Sequence, residues 1–231
     1  MNEELTKENH KFFNTEGAIF MGAKRNPQNC QIGLFGIPYD GTTSFRPGSR
    51  FGPSAIREVS SSLETYCPEL LLDLEDINYA DLGNLEIPLG APEPVIDLGK
   101  KATSKIFNLG LKPLILGGEH SITSGCVEAA AKNYPDLILI QLDAHADMRE
   151  IWLGSNHNHA CSMVRCLDVL PSKKLFQVGI RSGTKDEFKT IHKKESLVSH
   201  LHGEKADHLE EVLSPLKGKP IYLSIDLDWF D

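Results

Sequence analysis

The chain has 231 residues, 40% of them hydrophobic and 24% charged, with a formal net charge of −8. That length carries a sizeable core, and the composition is that of an ordinary globular protein. The acidic balance excludes the basic face of a nucleic-acid binder, so no nucleic-acid partner is expected.

The chain opens with MNEELTKENHKFF, which is charged and has no apolar segment, so it does not read as a signal peptide. Residues 1–29 read as an N-terminal extension to a domain over residues 30–231. Strands are predicted at Cys30–Ile37, Ile77–Asp81, Pro113–Leu116, Leu137–Leu142, Lys174–Gly179, Ser196–Ser199 and Pro220–Asp226. Helices are predicted between them, at Pro53–Tyr66, Pro94–Leu109, Ser121–Asn133, His159–Leu167, Thr184–Lys193 and Ala206–Leu213. Pro53 suits a first helical position, and Gly110 suits a helix stop. Strands apolar on both faces and separated by helices imply an α/β fold with a mostly parallel sheet. Ligands of such sheets bind at the carboxyl ends of the strands. No apolar run approaches the roughly 20 residues that span a bilayer, so no membrane partner is expected. The five cysteines are odd in number and include no C-x-x-C, which fits free thiols in a reducing cytoplasm.

Three stretches turn polar at predicted strand ends: LILGGEHS (Leu114–Ser121), QLDAHAD (Gln141–Asp147) and YLSIDLDWFD (Tyr222–Asp231). Alternate residues of a strand share a face. Asp143, His145 and Asp147 therefore converge if the chain stays extended, and Asp226 and Asp228 join them from another strand. With His120 the set holds four carboxylates and two imidazoles. Crowded carboxylates repel one another unless a cation sits among them. So many anionic donors suit two ions better than one. Hard oxygen donors with some imidazole favour Mn²⁺ over a closed zinc site. A metal pair makes a shared water nucleophilic near neutral pH.

GGEHS, DAHAD and SIDLDWFD resemble the three signature motifs of the ureohydrolases: arginase, agmatinase and formiminoglutamase. GIPYDGTTSFRPGSRFGPSAIR (Gly36–Arg57) is similar to the N-terminal signature of the agmatinase branch. The resemblance runs from about Cys30 to Asp231 and implies a three-layer α/β/α fold of the arginase/deacetylase kind. It implies two Mn²⁺ per chain. His120, Asp143, Asp147 and Asp226 would hold one ion, and Asp143, His145, Asp226 and Asp228 the other, with Asp143 and Asp226 bridging. The implied reaction cleaves a guanidino C–N bond and releases urea and an amine. Agmatine, yielding putrescine for polyamine biosynthesis, is the first expectation. Guanidinobutyrate, guanidinopropionate and guanidine stay open.

The resemblance places a substrate-side histidine in the segment after DAHAD. His159 matches best, as proton shuttle or orienter, with His157 as its competitor. Asp147 is the expected catalytic carboxylate beside it. Arg149 falls where arginase-type enzymes read an amino-acid head group, and is the other expected substrate contact. Arg46 and Gly48 sit in a shaped loop that lines the pocket mouth, a subunit contact or neither. His192, His200, His202 and His208 read as solvent-facing, and Cys161 and Cys166 as packed thiols. Family members extend beyond D-x-D-x-x-D, so a C-terminally incomplete domain lacking the last strand is expected. This keeps a second class open, a truncated, non-catalytic homologue that binds metal. A zinc amide deacetylase is a third reading, which the carboxylate-rich ligand set disfavours. The family also implies a cytoplasmic homo-oligomer, trimer or hexamer.

Overall fold

The computed structural model describes residues 12–172, 174–193, 197–201, 210 and 213–230. The chain divides into two compact units, Met1–Ile122 and Thr123–Asp231.

The first unit contains β1 (Phe13–Asn14), β2 (Ile32–Ile37), α1 (Gly52–Ser60), β3 (Tyr66–Cys67), β4 (Leu72–Asp73), β5 (Tyr79–Leu85), α2 (Pro92–Asn108) and β6 (Lys112–Gly117). Its main sheet runs β1-β5-β2-β6. β2 is parallel to both β5 and β6, and β1 adds antiparallel to β5. β2 is central because it is apolar on both faces: Leu34, Phe35 and Ile37 are fully buried. α2 buries Val95, Gly99, Ala102, Thr103 and Ile106, the spacing of one helical face. It ends at Asn108, and Gly110 stands at the stop that its sequence predicts. The Leu111 amide bonds the Ile106 carbonyl and the Gly110 amide bonds that of Phe107, with Gly110 at φ +76°. Both bonds are those of a Schellman stop, which needs a left-handed residue there.

α1 is shorter than the predicted Pro53–Tyr66. It stops at Ser60, whose hydroxyl donates to the Arg57 carbonyl 2.8 Å away and accepts the Met21 amide at 3.0 Å. Serines compete for backbone bonds in this way, and the run Ser60-Ser61-Ser62 favours a turn over another helical turn. The buried face of α1 carries Arg57 into the core. Its guanidinium donates to Asp81 at 2.8 and 2.9 Å and to the Asn84 side-chain oxygen at 2.7 Å.

The second unit contains α3 (Thr123–Asn133), β7 (Ile138–Leu142), α4 (Ser162–Val169), β8 (Leu175–Ile180), α5 (Lys185–Lys193), β9 (Leu197–Leu201) and β10 (Ile221–Ile225). Its sheet runs β10-β7-β8-β9, and all three pairings are parallel. Alternating helices and parallel strands bear out the α/β reading. Ile138 and Ile140 are buried on one face of β7, and their register partners Ile221 and Leu223 sit on β10. There the apolar row comes out into solvent: Ile221, Leu223 and Ile225 are 44%, 51% and 48% exposed. The predicted helix Ala206–Leu213 and the histidines His202 and His208 fall largely or wholly outside the described residues, as do Ser196 and the side chain of His200.

Candidate metal centre

The DAHAD segment leaves β7 without leaving the sheet at once. The Asp143 amide bonds the Val178 carbonyl at 3.2 Å, the Arg181 and Ser182 amides bond Ala144, and the Ala146 amide bonds Ser182 at 3.0 Å. An isolated bridge pairs His145 with Ser182. The extended path needed to put Asp143 and His145 on one side is thus enforced by the β8 side. It ends at Asp147, which takes φ +51°. A left-handed residue other than glycine costs about 1 kcal/mol, and aspartate is among the few that tolerate it. Neighbouring bonds hold the turn. The Asp147 carbonyl accepts the Met163 amide at 3.1 Å, and the Met148 amide donates to the Glu187 carboxylate at 2.9 Å.

Asp143, His145 and Asp228 each place a ligand atom within 4.8 Å of the others. His145 Nδ1 lies 2.9 Å from an Asp228 oxygen and 3.8 Å from Asp143 Oδ1. Backbone amides fix both carboxylates: His145 N–H donates to Asp143 at 2.6 Å, and Ala144 N–H to Asp228 at 3.0 Å. Carboxylate oxygens of Asp143 and Asp147 also come within 4.8 Å of each other. The Asp228 carboxyl sits above its usual range. Burial raises it first, and the charges of Asp226 and Asp143 raise it further, outweighing the Ala144 amide and His145. Carboxylates gathered beside an imidazole are the donor set of a cation site. Oxygen donors with an imidazole fit a hard or borderline divalent ion.

Asp226 stands beside this group rather than in it, among the described residues. One of its oxygens accepts the Asp228 amide at 3.2 Å, closing the turn that follows β10. His120 belongs to the first unit, half-buried at the turn His120–Ile122 after β6. The loop before that turn is tied locally. Glu119 accepts from the Thr42 amide and hydroxyl at 3.2 and 2.5 Å, and also from the Ser121 hydroxyl. His159 opens the short turn His159–Cys161, with its carbonyl accepting the Ser162 hydroxyl at 2.7 Å. His157 is half-buried, and its Nδ1 lacks a hydrogen-bond partner. Arg46 and Phe45 are exposed, their side chains stacked on each other, while Gly48 takes φ +150° and donates its amide to Asp40 at 2.7 Å.

Arg149 does not present an unengaged guanidinium. It lies 3.9 Å over the Trp152 ring and 3.5 Å from Glu187. Both contacts draw it into the fold and brace the segment after Asp147 against α5. Cys161 and Cys166 are fully buried, and burial pushes both thiols up, which makes them poor nucleophiles.

Sequence reasoning missed Glu187, Gln141 and Gln177. Glu187 had a signal. Thr184-x-x-Glu187 is a capping box: the Thr184 amide donates to Glu187 at 2.7 Å, and the Glu187 amide donates back to the Thr184 hydroxyl at 3.3 Å. Gly179 is fixed by Trp229. A Cβ at Gly179 would meet the indole at 2.4 Å, and its φ is +90°. The indole belongs to the same turn that carries Asp228.

The family model described as "Arginase family" matches residues 30–231, a match that spans both units. The chain belongs to the arginase family. Agmatinase of Bacillus anthracis is 38% identical over 215 residues, 93% of this chain and 73% of the relative. N(1)-aminopropylagmatine ureohydrolase of Thermococcus kodakarensis is 34% identical over 207 residues, 89% of this chain and 69% of the relative. The solved agmatine ureohydrolase of Thermoplasma volcanium superposes with a TM-score of 0.78 at 33% identity, over 96% of this chain and 74% of its own. This arginase-family chain is an agmatinase-like ureohydrolase.

Proposed function

We propose that this chain hydrolyses agmatine to putrescine and urea with a pair of Mn²⁺ ions. The observation that carries the proposal is the convergence of Asp143, His145 and Asp228, with Asp228 held above its usual range by burial and then by its acidic neighbours. Asp147 adds a further carboxylate within reach of Asp143. His120 and Asp226 complete the proposed ligand set on the strength of their motifs. Bound there, the metal pair would supply an activated water and a Lewis acid.

The chain's own residues do the rest. The Asp143 and Asp228 carboxylates are oriented by backbone amides, so little reorganisation accompanies binding. Carboxylates around the centre favour a cationic planar head group, and Asp147 and His159 are the proposed proton carriers to the leaving amine. With Arg149 turned toward Trp152 and Glu187, a substrate without an α-carboxylate is favoured. That reasoning puts agmatine ahead of guanidinobutyrate and guanidinopropionate, and leaves guanidine as a smaller competitor. The enzyme is proposed to work in the cytoplasm as a homo-oligomer, trimer or hexamer. Cys30, Cys67, Cys126, Cys161 and Cys166, all free thiols, suit a reducing compartment.

The test is urea release from Mn²⁺-loaded protein offered each guanidino compound in turn. Urea from agmatine at the highest kcat/KM is expected. Urea from another compound only would move the substrate, and urea from none would sink the reading. A second reading, a metal-binding homologue inactive by itself, has one observation in its favour: the exposed Ile221, Leu223 and Ile225 row. Metal binding without urea would select it.

A further inference from the structure

Gln141 and Gln177 are amides in the middle of otherwise apolar strands, 0% and 1% exposed. They are register partners on β7 and β8, so they lie side by side on one face of the sheet. A buried amide without partners is costly. Such residues are retained where their hydrogen bonds do something.

Three of their bonds run toward the ligand segment and one joins the two amides. Gln177 Nε2 donates to Gln141 Oε1 at 2.6 Å and to the Ala146 carbonyl at 2.8 Å. Gln141 Nε2 donates to Asp143 Oδ2 at 2.7 Å and to the His145 carbonyl at 3.2 Å. Carbonyl and carboxylate oxygens only accept, so the orientation of both amides is fixed by their partners. Gln177 thereby aims Gln141, and Gln141 aims Asp143. The other oxygen, Asp143 Oδ1, takes the His145 amide at 2.6 Å and lies on the His145 Nδ1 side.

We propose that Gln141 and Gln177 form an amide relay that positions the ligand Asp143 for metal binding. The inference rests on the ligand assignment made under the proposed function. Both are positioning residues: they touch neither the proposed substrate-side histidine nor the carboxylate of Asp228 in any of these bonds. The relay holds Asp143 in one rotamer, and it pins the carbonyls of His145 and Ala146, so the extended ligand segment is set before an ion arrives. Partners of this kind typically contribute 10–100-fold to metal affinity.

The experiment uses the full chain and reads Mn²⁺ affinity by calorimetric titration, beside the melting temperature in EDTA. Gln141→Met and Gln177→Met keep length and volume while removing the amide. Gln141→Met should weaken Mn²⁺ binding by about 10–100-fold, and Gln177→Met by a smaller factor, about 3–10-fold. The double variant should lose less than the product of the two single losses, because Gln177 acts in part through Gln141. At saturating Mn²⁺, KM should stay at the wild-type value in all three. If Gln141→Met does not fold, Gln177→Met reads the relay from its far end.

Affinity within twofold of wild type in a folded variant would overturn the relay. So would a double variant whose loss equals the product of the two single losses. If neither single variant folds, the amides serve stability alone and the relay is also overturned. A wild-type chain that binds no Mn²⁺ would remove the ligand assignment with it. A wild-type chain that binds Mn²⁺, with unaffected variants, would remove only the relay.

Discussion

Asp81 and Asp143 are both buried carboxylates, 0% and 1% exposed, and both accept backbone amides, yet their surroundings differ in sign. Asp81 faces the Arg57 guanidinium in a two-pronged pair, with the Phe20 and Gly83 amides at 2.9 and 3.0 Å. Burial alone would raise its carboxyl, but Arg57 and the two amides outweigh burial and hold it below the usual range. Asp143 has Asp228 and Asp147 within ligand distance, and its neighbour Asp228 is pushed upward. One site is closed by a protein cation. The other collects carboxylates around one imidazole, the donor set of a candidate metal site. A buried carboxylate is thus functional or structural according to what neutralises it, which no count of acidic residues reveals.

The comparison can be broken from either side. The largest effect is expected from Arg57→Met, which leaves Asp81 buried without its cation. Stability should fall by about 3–5 kcal/mol in denaturant melts, while Mn²⁺ affinity of the folded fraction stays at the wild-type value. A loss of affinity in that variant would show that the two sites are not independent. Stripping metal with EDTA should lower stability by about 2.7 kcal/mol relative to protein held at a hundredfold excess of Mn²⁺ over Kd, and re-addition should restore it. An unchanged melting temperature would contradict a resident ion.

Acid should act on the first site through Asp81. Its folded-state pKa lies below the unfolded value of about 3.9, so the pair's contribution is complete above that pH. The contribution is lost as pH falls through the folded value. Arg57→Met should flatten this acid limb in a pH series of melts, and an identical limb in the variant would assign it elsewhere. The smallest effect is expected at Asp97–Lys101, an i,i+4 pair whose side chains are 52% and 61% exposed. Lys101→Ala should cost about 0.3 kcal/mol and respond to salt.

Much of this was legible in the sequence. β2, β6, β7, β8 and β10 were marked by short apolar runs, and the Gly110 stop by its glycine. Asp143, His145 and Asp228 were marked by alternation at strand ends. Other features depended on tertiary partners. Phe13–Asn14 is too short to announce a strand, and it exists because β5 offers an edge. Asp147 was placed by alternation, but it reaches Asp143 through a left-handed turn that alternation does not encode. Arg149 looked available in the sequence, and only the fold brings Trp152 and Glu187 to it. Gln141 and Gln177 did carry a signal, a polar residue inside an apolar strand, whose meaning appears once their register is known.

The most direct test of the central claim is the number of Mn²⁺ ions retained per chain after equilibrium dialysis, in wild type and in Asp143→Ala. The account predicts two ions in the wild type, the occupancy of a paired site, and their loss in the variant together with urea release. An Asp143→Ala chain that still holds two ions would contradict it.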